Sequence, residues 1–202
     1  MAVRGRPRSF DRDAALRRAM ELFWARGYDN TSMAELGAAM GIASPSLYAA
    51  FHNKAELFRE ASDLYLRTEG VEIWQVIEQA PTAREAIEHF LARTARSFTR
   101  PDVPRGCLIV LGALNPDPAN VEACADLRAR RAENLDQIKA RLDRAVAEGE
   151  LRERADTAAM ARFYVTVQQG MSVQARDGAT CEELMQVAAC ALAAWPSFAR
   201  AP

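Results

Sequence analysis

Residues 31–54 read TSMAELGAAMGIASPSLYAAFHNK, the most informative segment of the chain. Ser32 and Glu35 stand at the S-x-x-E spacing of a capping box, which gives a helix a defined start. Met33, Leu36, Ala39 and Met40 supply one apolar face. Gly41 follows where a helix closes in the left-handed conformation, which only glycine adopts cheaply. Ile42 is an apolar plug after the turn. Ser44 is placed to cap a second helix, and Pro45 fits its first turn, where a missing N–H costs nothing. The pattern predicts a helix-turn-helix over about residues 32–51, a device whose usual task is to lay its second helix in the DNA major groove.

The flanking sequence is helical throughout. A first helix is expected over Asp11–Arg26, with Phe10 as a hydrophobic staple and Gly27 as terminator. Asn53, with Glu56 three residues on, caps a fourth helix that is expected to continue to about Gln79. Thr82 and Glu85 open a fifth, ending near Arg100. After the break PDVPRG, a short sixth helix is expected over Cys107–Leu114, stopped by NPDP at residues 115–118. A long charged seventh spans about Ala119–Glu148 and an eighth Asp156–Arg176. Thr180 and Glu183 cap a ninth, which runs to Trp195. The expected fold is all-α, about nine helices and no strands.

Half of the 202 residues are hydrophobic, enough for a substantial core. No apolar run approaches the ~20 residues needed to span a bilayer, and the N-terminus lacks a signal-peptide core, so a cytoplasmic protein with no membrane partner is expected. The four cysteines, Cys107, Cys124, Cys181 and Cys190, lack zinc spacing and read as free, mostly buried thiols. There are two histidines, His52 and His89, and no nucleotide-binding or nucleophile motif. Neither an enzyme nor a cofactor is expected. The net charge of −1 is unevenly spread: residues 1–54 hold eight basic and five acidic residues (+3), the remainder eighteen and twenty-two (−4). A basic head on an acidic body suits a DNA binder.

The first sixty residues closely resemble the N-terminal domain of TetR/AcrR-family transcriptional regulators. The resemblance rests on Ala19, Leu22, Phe23, Gly27, Thr31, Ala34, Leu36, Gly41, Ser44, Leu47, Tyr48, Phe51, Asn53, Lys54 and Leu57. It implies a DNA-binding domain over residues 1–54, with an N-terminal arm at 1–9, and a ligand-binding and dimerisation domain over 55–202. It also implies a homodimeric repressor of a pseudo-palindromic operator, released by a small-molecule effector.

The candidate DNA contacts are Thr31, Ser32, Ser44, Pro45, Ser46, Tyr48, His52 and Lys54. Hydroxyls and free helix N–H groups donate to phosphates, and the start of a recognition helix meets base edges. Thr31, Ser32 and Ser44 are equally placed to act as helix caps alone. Leu47 and Phe51 read as core. Ala49 and Ala50 stand where the family pattern often has Tyr and His, which removes readout by large side chains and leaves methyl contact with thymine. In the arm RGRPR, Arg4, Arg6 and Arg8 resemble an AT-hook that lies in a narrow minor groove. A purely electrostatic tail is the alternative, and an architectural DNA-binding protein is the corresponding functional alternative.

In the body, Leu184, Val187, Ala188, Ala191, Leu192 and Trp195 form one helical stripe, and Phe163, Val167, Gly170, Met171 and Gln174 another. Either could be ordinary core; the resemblance implies a four-helix dimer interface built from these two helices. It also implies a small-molecule pocket, for which Tyr65, Trp74, Phe90, Phe98, Leu108, Leu111 and Tyr164 are candidate lining. Cys107 opens a helix beside Arg105, a placement that favours a thiolate. A similar Gly-Cys-Leu placement occurs in regulators of this family that sense electrophiles or oxidants, so Cys107 reads either as a sensor or as a small buried hydrophobe.

Overall fold

The structure is a computed structural model, described over residues 10–198. The arm arginines Arg4, Arg6 and Arg8 therefore lie outside the described residues. The chain folds as α1 (Arg12–Arg26), α2 (Met33–Met40), α3 (Ser44–Phe51), α4 (Lys54–Tyr65), a π turn (Leu66–Gly70), α5 (Val71–Gln79) and α6 (Ala83–Phe98). There follow α7 (Leu108–Leu111), α8 (Val121–Ala147), α9 (Thr157–Arg176), α10 (Cys181–Leu192) and a 3₁₀ turn (Trp195–Ser197). Counting α4, the π turn and α5 as one rod gives nine helices, with no strand among the described residues. None of these helices is long and apolar enough to cross a membrane.

Local chemistry sets most helix starts. Ser32 and Glu35 close a full capping box, as do Thr180 and Glu183. Asp11, Asn53 and Thr82 each accept a first-turn N–H. Gly41, at φ 68, ends α2 in the left-handed conformation.

Five features differ from expectation, one of them the end of α10, at Leu192 rather than Trp195. Ser44 does not cap α3: Ala43 holds the N-cap position, and no side chain takes its bond. Lys54 to Gln79 is not one regular α-helix, because the five residues Leu66–Gly70 adopt the wider π spacing. Such turns occur as local bulges, frequently at functional sites. The helix after Cys107 stops at Leu111 rather than Leu114. The next begins at Val121 rather than Ala119, because the Asp117 carboxylate accepts from the N–H groups of Ala119 and Asn120 and holds a turn there.

α1 packs on α4 and α2, and the head's aromatic core joins Phe23 edge-to-face with Phe58 at 4.9 Å and Tyr28 with Phe58 at 5.1 Å. Phe58 lies beyond residue 54, so α4 contributes to the head as well as the body. Arg12 ties the same helices, donating to both Glu60 oxygens at 2.8 and 2.7 Å while its guanidinium sits 4.4 Å from the Phe51 ring centre. In the body, α6 packs against α5, α9 and α10, and α8 against α9 and α4.

Candidate nucleic-acid interface and effector cavity

α3 has two faces. Leu47 and Phe51, four residues apart, are wholly buried, while Ser44, Pro45, Tyr48, Ala49 and His52 face outward. Tyr48 is 49% exposed. Ser46 is half-buried, and Ala50 packs against the core, leaving Ala49 as the outward methyl. Among the described residues the side chains of Ser44, Ser46, Tyr48 and His52 have no intramolecular polar partner. His52 ends α3 at φ 58, and its backbone N–H donates to Tyr48 O at 2.8 Å. This is an uncommon conformation for a non-glycine residue.

The remaining candidates divide. Thr31 is corrected to a structural residue: it is 1% exposed, and its hydroxyl donates to Gly27 O at 2.8 Å. Ser32 is exposed and capping. Lys54 places its ammonium 4.1 Å from the Tyr28 ring centre, and partial burial lowers its pKa. Sequence reasoning missed Arg18. It is exposed on α1 and in no ion pair among the described residues, with its guanidinium 3.7 Å from where a Cβ on Gly41 would sit, beside the helix-turn-helix turn. The signal was available as a second exposed cation on α1, but only the fold carries it to that turn.

A narrow cavity of about 10 Å³, room for about one water molecule, lies in the body. Tyr65, Trp74, Phe98 and Cys107 line it as expected. Phe90, Leu108 and Tyr164 do not; they are fully buried core, and Leu111 is half-buried against that core away from the cavity. The wall also includes Leu66 and Gly70 of the π turn, and the amide side chains Asn134, Gln168 and Gln169. The sequence carried no signal for these.

Of the two readings of Cys107, the fold favours the small buried hydrophobe over the thiolate sensor. α7 is four residues long, and Arg105 turns away to donate to Ala179 O at 2.6 Å. Burial pushes the thiol above its ordinary value, outweighing a hydrogen bond with Tyr65 and neighbouring backbone N–H groups. Burial first, then Cys107, pushes the Tyr65 hydroxyl well up. Both acids hold their protons more tightly folded than unfolded, where the ordinary values are 9.0 and 10.0. Their contribution to stability is complete below the unfolded values and is lost as pH rises past them. The urea midpoint is therefore expected to stay level from neutrality to about pH 9 and then fall, with a shallower fall in Tyr65→Phe. An equally steep fall in that variant would exclude Tyr65 as a source.

The cavity touches the head. Tyr65 meets Trp24 of α1 edge-to-face at 4.9 Å, and Trp24 Nε1 donates to Gly106 O at 3.0 Å. Arg176, at the end of α9, donates to Trp24 O at 2.8 Å, Ala25 O at 2.9 Å and Arg105 O at 2.8 Å. A cation is thereby placed at the carbonyl end of α1. Tyr28 N donates to Gly112 O at 2.7 Å, and Asn120 donates to Asp29 at 2.8 Å.

The apolar stripes on α9 and α10 are split. Met171, Leu184, Ala188, Ala191 and Trp195 are buried within their own chain, because that side of α10 packs on α6 and α9. Phe163 and Val187 are exposed, and Val167 and Leu192 half-buried. Exposed Val173 and Cys190 share this outer surface, and a Cβ on Gly170 would meet only open space.

The chain matches two family models: bacterial regulatory proteins of the tetR family over residues 15–61, and the tetracyclin repressor-like C-terminal domain over residues 83–188. It is 37% identical over 198 residues to the HTH-type transcriptional repressor ComR of Escherichia coli strain K12, covering 98% of this chain and 94% of that protein. It is 32% identical to the repressor BdcR of the same strain over 190 residues, 94% of this chain and 91% of that one. Among solved structures it is similar to a cysteine mutant of the TetR family transcriptional regulator CifR complexed with 26-bp double-strand operator DNA. Identity there is 46% and the TM-score 0.91, with 95% of this chain and all of that one covered.

Proposed function

Because the chain belongs to the TetR family of bacterial transcriptional regulators, we propose that it is a cytoplasmic, homodimeric repressor, without enzymatic activity, that a small molecule releases from a palindromic operator. The observation that carries this reading is the outward face of α3, whose serines, tyrosine and histidine have no polar side-chain partner among the described residues and stand behind a fully capped α2. In this reading Ser44, Ser46 and Tyr48 donate to phosphates and Ala49 meets a base edge. Ser32, His52, Lys54 and Arg18 add polar or cationic contacts. Arg4, Arg6 and Arg8 of the arm supply further charge. Phe163, Val167, Gly170, Val187 and Leu192 form the two-fold seam, with Val173 at its edge.

Release is a shift of population. A ligand favours one arrangement only by binding it better, and the difference in affinity limits the response. Entry into the cavity displaces Tyr65 or the π turn. Tyr65 packs on Trp24 of α1, and the π turn is the irregular link within the rod that begins at Lys54 in the head. Both displacements turn the heads relative to the body, and with it the spacing of two recognition helices on DNA.

The test is selection from a random double-stranded DNA library with purified protein. The expected result is an enriched inverted repeat bound by a dimer, with affinity falling steeply as salt rises. Binding without enrichment would replace this reading with an architectural one.

A further inference from the structure

We infer that the effector is an uncharged, largely apolar small molecule carrying at least one hydrogen-bonding group that meets the side-chain amide of Gln168. This rests on the regulator reading above and names the ligand class of its cavity. Among the described residues, no aspartate, glutamate, lysine or arginine lines the cavity. Its bulk is aromatic and aliphatic, with Tyr65, Trp74 and Phe98 presenting rings. Against that surface stands Gln168, 4% exposed and without a hydrogen-bond partner among the described residues, flanked by Gln169 and Asn134. Its amide is not sealed off from the cavity, so a molecule that enters in place of water must match the amide's hydrogen bonds or lose them.

The charges behind the wall are committed to other partners: Glu69 is paired with Arg100 at 2.6 Å, Arg131 donates to the backbone of the wall residue Ile109 at 2.7 Å, and Arg176 to the three carbonyls described above. An ionic ligand would lose its hydration here and find no charged side chain in the lining to pair with. A primary amide both donates and accepts, so it suits a hydroxyl, carbonyl or carboxamide equally. The cavity is too small for such a ligand in the present arrangement. A ligand must therefore displace part of the wall, which includes the half-buried Trp74 and the irregular π turn.

The experiment uses the full-length protein and four probes of one size: benzyl alcohol, benzoate, benzylamine and toluene. Affinities are measured by calorimetry, and operator release by fluorescence anisotropy. Benzyl alcohol is expected to bind at least about tenfold more tightly than each of the other three. Gln168→Leu is expected to remove its advantage over toluene while leaving toluene binding in place, and Gln168→Glu to move the preference toward benzylamine. Benzoate or benzylamine equalling the alcohol in the unmodified protein, an unchanged alcohol advantage in Gln168→Leu, or no binding by any of the four would overturn the inference. Should the ligand-free protein bind no DNA, the regulator reading fails, and calorimetry alone decides the ligand class.

Discussion

Replacing Tyr48 by alanine is expected to weaken operator binding about tenfold to a hundredfold while leaving the dimer and its thermal stability nearly unchanged. Tyr48 stands 49% exposed on the outer face of α3, and among the described residues its hydroxyl has no intramolecular partner. One hydroxyl–phosphate bond contributes about 0.5–1.5 kcal/mol net, and a two-fold dimer loses two. Little else depends on the side chain, because Leu47 and Phe51 anchor the helix from its other face. Tyr48→Phe separates hydroxyl from ring: it should lose most of the same affinity if the phosphate bond dominates. Binding by both variants at the level of the unmodified protein, read by fluorescence anisotropy at fixed salt, would remove Tyr48 from the interface.

Gly106→Ala is expected to destabilise the protein by about 3 kcal/mol or more. The position is strained for any side chain, with φ at +78, and an added Cβ would sit 2.7 Å from the backbone oxygen of Ser172. A backbone oxygen cannot rotate aside as a side chain can. Left-handed geometry costs about 1–2 kcal/mol for a non-glycine residue, and overpacking typically a further ~1–3 kcal/mol. For a chain of this length that corresponds to a melting temperature lower by roughly 10 °C. The damage should reach the head. Gly106 N donates to Phe98 O at 3.0 Å, Gly106 O accepts from Trp24 Nε1, and Cys107 N donates to Ser172 Oγ at 2.9 Å, so the glycine joins α1, α6 and α9. Melting followed by circular dichroism checks the first effect and operator affinity the second. A melting temperature unchanged within a degree would mean that α9 yields at Ser172, and that this contact does not hold the body together.

The helix-turn-helix was legible because its signals act within a few residues. A serine oxygen three residues from a glutamate caps a helix regardless of the rest of the chain. A glycine supplies positive φ from its own lack of a Cβ. Apolar spacing of three and four residues gives a helix one buried face. These are local energies, and they place α1, α2 and α3, Leu47 and Phe51 in the core, and Tyr48 outside it. Where local reasoning misplaced a boundary, another local bond had won: the Asp117 turn delays α8 to Val121.

Burial and distant partners belong to the tertiary structure alone. Thr31 and Ser32 are adjacent hydroxyls of similar appearance in the sequence; packing buries the first on Gly27 and leaves the second exposed. Cys107 stands beside Arg105 in the chain, yet in the fold its thiol meets Tyr65 while Arg105 reaches Ala179, and burial decides the direction of its pKa. Apolar periodicity marks a buried stripe without saying what buries it, and α6 takes most of the α10 stripe. Gln168 differs from any other glutamine only through the cavity it faces. Arg176 lies 152 residues from its partner Trp24, a separation no sequence pattern spans. The sequence therefore determined the DNA-binding unit, whose stabilising contacts are close in the chain. The cavity, its uncharged lining and its link to the head arise from packing instead, where helices from distant parts of the chain exclude water together.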